Sequence, residues 1–301
     1  MASDMLRDYP AQLLFGASAQ VLLGCSVLSR PGLFDPRGVI ILHILRLVRA
    51  TAPKIVVLEN VGGLVKATHR EFFEAVLSML RDTRWSWLPG QRYNVAWRML
   101  DTKDFKIPHS RPRVYIVAIR ADSLQNRLVW PRASRAPCHA IDDLLDGPRP
   151  SRAFLANALP PPTSGNARLN VINELRKLRE RGVDPLEDTH VIEIDNCATS
   201  DGFASTVMRG CSPCLTRRRA QTGGHWVSTR GRRLTTAEML KLQAMRPARL
   251  VVPPSVPESA FRAMVGNAMS VNIVEALLAS LSRACPAIFG GTPLPDRWSA
   301  T

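Results

Sequence analysis

Short apolar runs and helix-like spacings alternate through the first 120 residues. Gln20-Val-Leu-Leu is a short strand candidate, followed by a loop through Gly24-Cys25-Ser26 and Arg30-Pro31-Gly32. Ile40, Ile41, Ile44, Leu45 and Val48 recur on one helical face, which predicts a helix over 37–50 that Pro53 ends. Lys54-Ile-Val-Val-Leu58 reads as a buried strand, with Glu59-Asn60-Val61 just past its end. Thr68-His-Arg-Glu71 has capping-box spacing and would open a helix reaching about Asp82. Two more strands are predicted over 93–100 and 113–119. Strands and helices in this order predict an α/β fold with a parallel, doubly wound sheet.

The pattern changes after Arg120. Between Gly147 and Gly165 the chain carries Pro148, Pro150, Pro160, Pro161 and Pro162, a linker signal. One helix is predicted over 167–181, closing at Gly182, and a strand over 189–195. Thr235-Thr-Ala-Glu238 and Ser255-Val-Pro-Glu258 both look like helix starts, and a last helix over 269–284 follows Gly266-Asn267. The expected division is a first domain over 1–120, a small irregular region over 121–233, and helices over 234–301 returning to the first domain.

Composition narrows the class. An apolar fraction of 46% can fill a core, and 22% charged residues argue against wholesale disorder. No apolar run reads as a membrane span, and the first residues lack a signal-peptide stretch. The six cysteines are scattered, which favours a reduced compartment over a disulfide framework. Cys211-Ser-Pro-Cys214 has the gap of a zinc pair, but no second pair completes it, so no metal is expected. The net charge of +15 favours a polyanionic partner. A merely basic surface would give the same total. The distribution separates the two better, because Arg209 to Arg233 holds seven arginines and no acidic residue.

Cys25 and Glu59 fall at the ends of two predicted strands, where doubly wound sheets bind their ligands. Arg111 and Arg113 open a third strand. Taken singly, each has a duller reading: a small buried thiol, a solvated carboxylate, a pair of surface ion-pairing arginines. Together they form a set suited to covalent catalysis, with the arginines favouring the thiolate.

At this point the residues resemble a known family. Val21-Leu-Leu-Gly-Cys25-Ser-Val-Leu-Ser29-Arg-Pro-Gly32 with Asp35-Pro-Arg-Gly38 resembles the nucleophile loop of the cytosine-C5 methyltransferases. Lys54 to Val61 with Gly63-Leu64 is similar to their Glu-Asn-Val motif, and His109-Ser-Arg111-Pro-Arg113 to their Gln-x-Arg-x-Arg strand. Ser212-Pro-Cys-Leu-Thr216, Arg233-Leu-Thr with Glu238 and Leu242-Gln243, and Gly266-Asn267-Ala268 resemble the C-terminal motifs. The resemblance implies a partial doubly wound, Rossmann-like methyltransferase sheet with a small target-recognition domain. It also implies S-adenosylmethionine as cofactor.

By the same resemblance, Cys25 would attack C6 of a flipped cytosine, Glu59 would hold or protonate N3, Arg113 would bind the base carbonyl, and Arg111 would orient the pocket. Gly266, Asn267 and Ala268 would close the cofactor site, while Thr216, Arg217, Arg218 and Arg219 would meet nucleic acid. DNA is the implied partner, with RNA open because Ser212 to Arg217 echoes the tRNA-methylating branch; no membrane is implied. A non-catalytic nucleic-acid-binding remnant is the alternative. The implied location is nuclear in a eukaryote and cytoplasmic otherwise.

Three positions depart from the pattern: Gly24 stands for Pro, His109 for Gln, and Ala268 for Ser. Only 24 residues precede Cys25, and Phe15-Gly-Ala-Ser-Ala lacks the second glycine of the family's opening turn. The expectation is therefore a chain whose cofactor half is missing, to be supplied by an upstream segment or a complementing chain.

Overall fold

The computed structural model describes residues 13–17, 40–82, 92–134, 140–195 and 205–300. In chain order these form β1 (Leu13–Ala17), α1 (Ile40–Thr51), β2 (Ile55–Val61), α2 (Arg70–Arg81), β3 (Tyr93–Asp101) and β4 (Pro112–Arg120). Then come α3 (Arg152–Asn157), α4 (Gly165–Glu180), β5 (His190–Ile192), β6 (Val207–Arg209), α5 (Arg217–Gln221), β7 (Trp226–Val227) and β8 (Arg232–Arg233). The helices α6 (Thr236–Leu242), α7 (Glu258–Asn267) and α8 (Val271–Ala284) follow. The strand expected at Gln20, and the loop bearing Gly24, Cys25 and Ser26, lie outside the described residues.

The chain divides into two compact units. The first comprises 1–101, 112–133 and 273–301, and the second comprises 102–111 and 134–272. Residues 234–272 thus group with the middle region, whereas the sequence-based division assigned them to the first domain.

In the first unit the sheet order is β1-β2-β4-β3. β1 runs parallel to β2, but β4 runs antiparallel to both β2 and β3. The fully parallel sheet expected from the alternation is corrected here: an apolar run looks the same whichever way the strand points. β1 covers Leu13–Ala17, a segment where the sequence pattern predicts no strand. One face of the sheet packs Val56, Leu58, Val114, Ile116 and Ala118 against Phe73, Val76, Leu77 and Leu80 of α2 and Ile41 and Val48 of α1. Ile55, Val57, Val117 and Ile119 are equally buried, and by strand alternation they lie on the other face. Each such side chain contributes about 1.5–3 kcal/mol, enough to hold a few buried polar groups in place among them.

Two predicted helix starts fail for one geometric reason. α2 begins at Arg70 after a 3₁₀ turn, with His69 at its N-cap and no side-chain cap. Glu71 is therefore the second helical residue, one short of the third-residue position a capping box needs. α7 begins at Glu258 after Pro257, which puts that glutamate at the first helical position. At α6 the spacing is right: Thr235 Oγ1 accepts from Glu238 N, and Glu238 Oε2 accepts from Thr235 N at 2.7 Å.

The second unit holds a four-stranded sheet, β6-β5-β7-β8, in which all pairs are antiparallel. Its cores are formed by Ala167, Val171, Leu175, Ile192, Ile194 and Trp226, and by a cluster around Leu215, Val227, Met239, Leu240 and Val265. Glu258–Ala284, spanning α7 and α8, is long and apolar enough to cross a membrane by length and composition, but 61% of its most apolar window is buried in the protein.

Candidate active site and nucleic-acid interface

Glu59 lies within β2, not beyond it, because the strand continues to Val61. Its residue is only 2% exposed, and Arg113 is 5% exposed. Burying these two charges is tolerable only because they meet: Arg113 Nε lies 3.0 Å from Glu59 Oε1. The antiparallel pairing makes that contact. Val61 pairs with Arg113 and Glu59 with Tyr115, so the carboxylate and guanidinium are diagonal neighbours on one face. In a parallel sheet the start of β4 would have fallen at the far end of β2. Arg113 Nη1 also donates to the Pro112 carbonyl at 2.9 Å, and Asn60 Oδ1 accepts Val61 N–H at 2.7 Å. The result is a rigid, buried acid–cation pair at a strand end. Such a pair can present a carboxylate and guanidinium donors to a planar, polar ring. Cys25, the third member of the expected set, lies outside the described residues.

Arg111 takes a different role within the second unit. Its residue is 2% exposed. Nη1 donates to the Leu215 carbonyl at 2.7 Å, and Nη2 donates to the carbonyls of Gly266 at 3.2 Å and Ala268 at 2.8 Å. Cys214 Sγ lies 4.0 Å from Nη1. Two of the three residues expected at the cofactor therefore spend their carbonyls on Arg111. Gly266 also lies directly on the chain, where an added β-carbon would stand 2.5 Å from the Thr216 carbonyl oxygen. Asn267 alone of the three is exposed. Of this motif, the Gly266 and Ala268 carbonyls are held by Arg111, and the Asn267 residue is exposed.

The arginine-rich stretch is mostly neutralised. Arg209 pairs with Asp188, Arg230 with Asp142, Arg232 with Glu238 and Arg233 with Asp195, at 2.7–3.3 Å. Arg219 pairs with Glu193. Of these seven, Arg217 and Arg218 are the exposed ones for which no ion pair is seen among the described residues. Thr216 caps α5 by accepting Arg219 N–H at 3.4 Å. Sequence reasoning missed this sorting, since the partner carboxylates lie elsewhere in the chain.

The burial of two histidines was not visible in the sequence. His225 is fully buried, and burial pushes its imidazole down to about 4, Arg219 adding to that while Glu193 and Asp195 oppose it. His109 is fully buried with both ring nitrogens near backbone groups. Among the described residues no group of three or more His, Cys, Asp or Glu could hold a metal ion.

The family model for C-5 cytosine-specific DNA methylase matches residues 25–283. Type II methyltransferase M.AquIA of Picosynechococcus sp. is 35% identical over 91 residues, which is 30% of this chain and 37% of the relative. Type II methyltransferase M.NgoBI of Neisseria gonorrhoeae is 27% identical over 260 residues, covering 85% of this chain and 69% of the relative. Against the first relatives matched, the chain spans 37%, 36% and 20% of their lengths. The methyltransferase EhMeth of Entamoeba histolytica superposes with a TM-score of 0.56 at 15% identity, covering 93% of this chain and 79% of that one. At that identity the likeness speaks for the fold alone.

Proposed function

The chain belongs to the C-5 cytosine-specific DNA methylase family, and on that premise we propose that it transfers a methyl group to C5 of cytosine in DNA. S-adenosylmethionine supplies the methyl group when bound. The observation that carries the reading is the buried Glu59–Arg113 pair at 3.0 Å, within the matched region.

The chemistry needs what that pair can give. Cytosine C5 is a poor nucleophile until a thiolate adds at C6, which is the role proposed for Cys25; once C5 carries the methyl group, loss of the C5 proton to a base and elimination of the Cys25 thiolate restore the C5–C6 double bond. That addition pushes charge onto the ring, toward N3 and the exocyclic oxygen. Glu59 would hold a proton at N3, and Arg113 would donate to the ring carbonyl. Both groups are fixed before the base arrives, so little reorganisation is needed as charge develops. A base stacked inside a duplex cannot reach a buried pair of this kind, and it must be flipped out of its stack. Arg217 and Arg218 would take backbone phosphates, and Arg111 would act through the segment that carries them.

The test is transfer of tritiated methyl from S-adenosylmethionine, with a cytosine-containing duplex and a tRNA as competing acceptors. Label on C5 of DNA cytosine is the expected result. Label confined to tRNA would move the substrate to RNA. No label on either, with DNA still bound, would support the non-catalytic reading.

A further inference from the structure

The stretch from Ser212 to Arg217 is held from three directions inside the second unit. Ser212 N donates to the Pro108 carbonyl at 2.8 Å, and Ser110 N donates to the Ser212 carbonyl at 2.9 Å, a short parallel bridge between His109 and Ser212. His109 Nε2 then accepts Leu215 N–H at 3.0 Å, while Nδ1 faces the Leu242 carbonyl at 3.0 Å. One nitrogen must accept and the other donate, so this geometry calls for the neutral ring protonated on Nδ1. Arg111 binds the carbonyl of the same Leu215. Both polar groups of Leu215 are therefore fixed, one by each of two residues in the 109–111 segment.

The third direction is α7. Its last carbonyls lack intrahelical partners, and the negative end of its dipole favours a cation. Arg111 Nη2 fills that place at Gly266 and Ala268. Gly266 brings α7 flat onto the next two residues: a β-carbon would stand 2.5 Å from the Thr216 oxygen and 2.8 Å from the Arg217 Cα. Both obstacles are backbone, so no side-chain rotation could relieve them. Immediately beyond this clamp stand Arg217 and Arg218, the exposed arginines of the stretch without ion pairs among the described residues.

We infer that Arg111, His109 and Gly266 are positioning residues that hold the Arg217–Arg218 pair ready for the phosphodiester backbone of a nucleic acid. A long basic side chain on a loose loop loses backbone and side-chain entropy on binding, and a fixed backbone avoids part of that loss. The inference rests on the reading that this chain binds nucleic acid, but not on methyl transfer.

The measurement is the slope of log affinity against log salt for a duplex, with the melting temperature recorded for each variant. Each phosphate contact contributes roughly 0.9 to that slope. Arg217→Gln with Arg218→Gln should flatten it by roughly 1.8. Gly266→Ala should flatten it by a similar amount, and the triple variant should lose nothing more. His109→Gln, whose amide can accept and donate in the same places, should keep the wild-type slope, whereas His109→Leu should not. A general loss of stability lowers the folded fraction and leaves the slope alone. A folded Gly266→Ala protein with the wild-type slope overturns the inference. So does an unchanged slope in the Arg217→Gln, Arg218→Gln protein. If Gly266→Ala does not fold, equal slopes for His109→Leu and His109→Gln overturn it instead. Salt-dependent binding without methyl transfer would count against the catalytic reading alone.

Discussion

The β2–β4 strand end and the arginine-rich stretch of the second unit both gather positive charge, and they use it in opposite ways. At the strand end one guanidinium meets one carboxylate, and both are buried. In the 209–233 stretch five of the seven arginines are matched to carboxylates at Asp142, Asp188, Glu193, Asp195 and Glu238. Arg111 and Arg113 condense the contrast, since they stand two positions apart. Arg113 answers a charge, which a substrate can compete for; Arg111 answers backbone carbonyls, which nothing else can supply. Local charge density therefore says little about function until the partners are known.

The largest effect should come from Arg113. Arg113→Gln is expected to slow methyl transfer by about 10²–10³ and to cost about 3–5 kcal/mol of stability, because Glu59 is left buried without its counter-charge. Adding Glu59→Gln should restore much of that stability in urea titrations while activity stays lost. A double variant no more stable than the single would remove the pair from the account.

Arg111→Met should behave differently. Its expected cost is about 1–3 kcal/mol for each carbonyl that water cannot reach, and no single partner change should rescue it. Recovery through any one side-chain substitution would erase the distinction between the two arginines.

The buried imidazole of the second unit gives a pH signature. Its folded value of about 4 lies below the ordinary 6.5. Between these values the unfolded chain holds the extra proton, so stability is complete above 6.5 and is lost as pH falls toward 4. The loss should be on the order of 3 kcal/mol, and His225→Gln should flatten that part of the curve. An identical pH profile in the variant would assign the loss to other groups.

A smaller effect is expected at the start of α6. Thr235→Ala removes the cap of a helix whose Glu238 also holds Arg232, and should cost about 1 kcal/mol. A change within error would mean that Glu238 alone secures the helix.

How much was legible in the sequence follows from what each signal encodes. β2, β4, α1 and α2 were readable because their apolar residues recur at the right period. Strand direction was not, and the antiparallel β4 is what places Arg113 beside Glu59. Glu59 and Asn60 looked like loop residues because they are polar, yet both are buried in the strand, with Arg113 and the Val61 amide as partners. Thr235 succeeded as a cap where Thr68 and Ser255 did not, because only there does the glutamate fall on the third helical residue. Arg111 and Gly266 matched motif positions, but their packing depends on Leu215, 104 residues from Arg111, and on Thr216, 50 residues before Gly266, and so was invisible to local patterns.

In the proposed reaction, Glu59 and Arg113 hold a cytosine ring for attack by Cys25. Covalent trapping on a duplex containing 5-fluorocytosine, with S-adenosylmethionine present and the product read on a denaturing gel, tests it most directly. The full chain should form an adduct that vanishes in Cys25→Ala and accumulates about 10²–10⁴ times more slowly in Glu59→Gln. An adduct that survives Cys25→Ala, or that forms at the wild-type rate in Glu59→Gln, would contradict it.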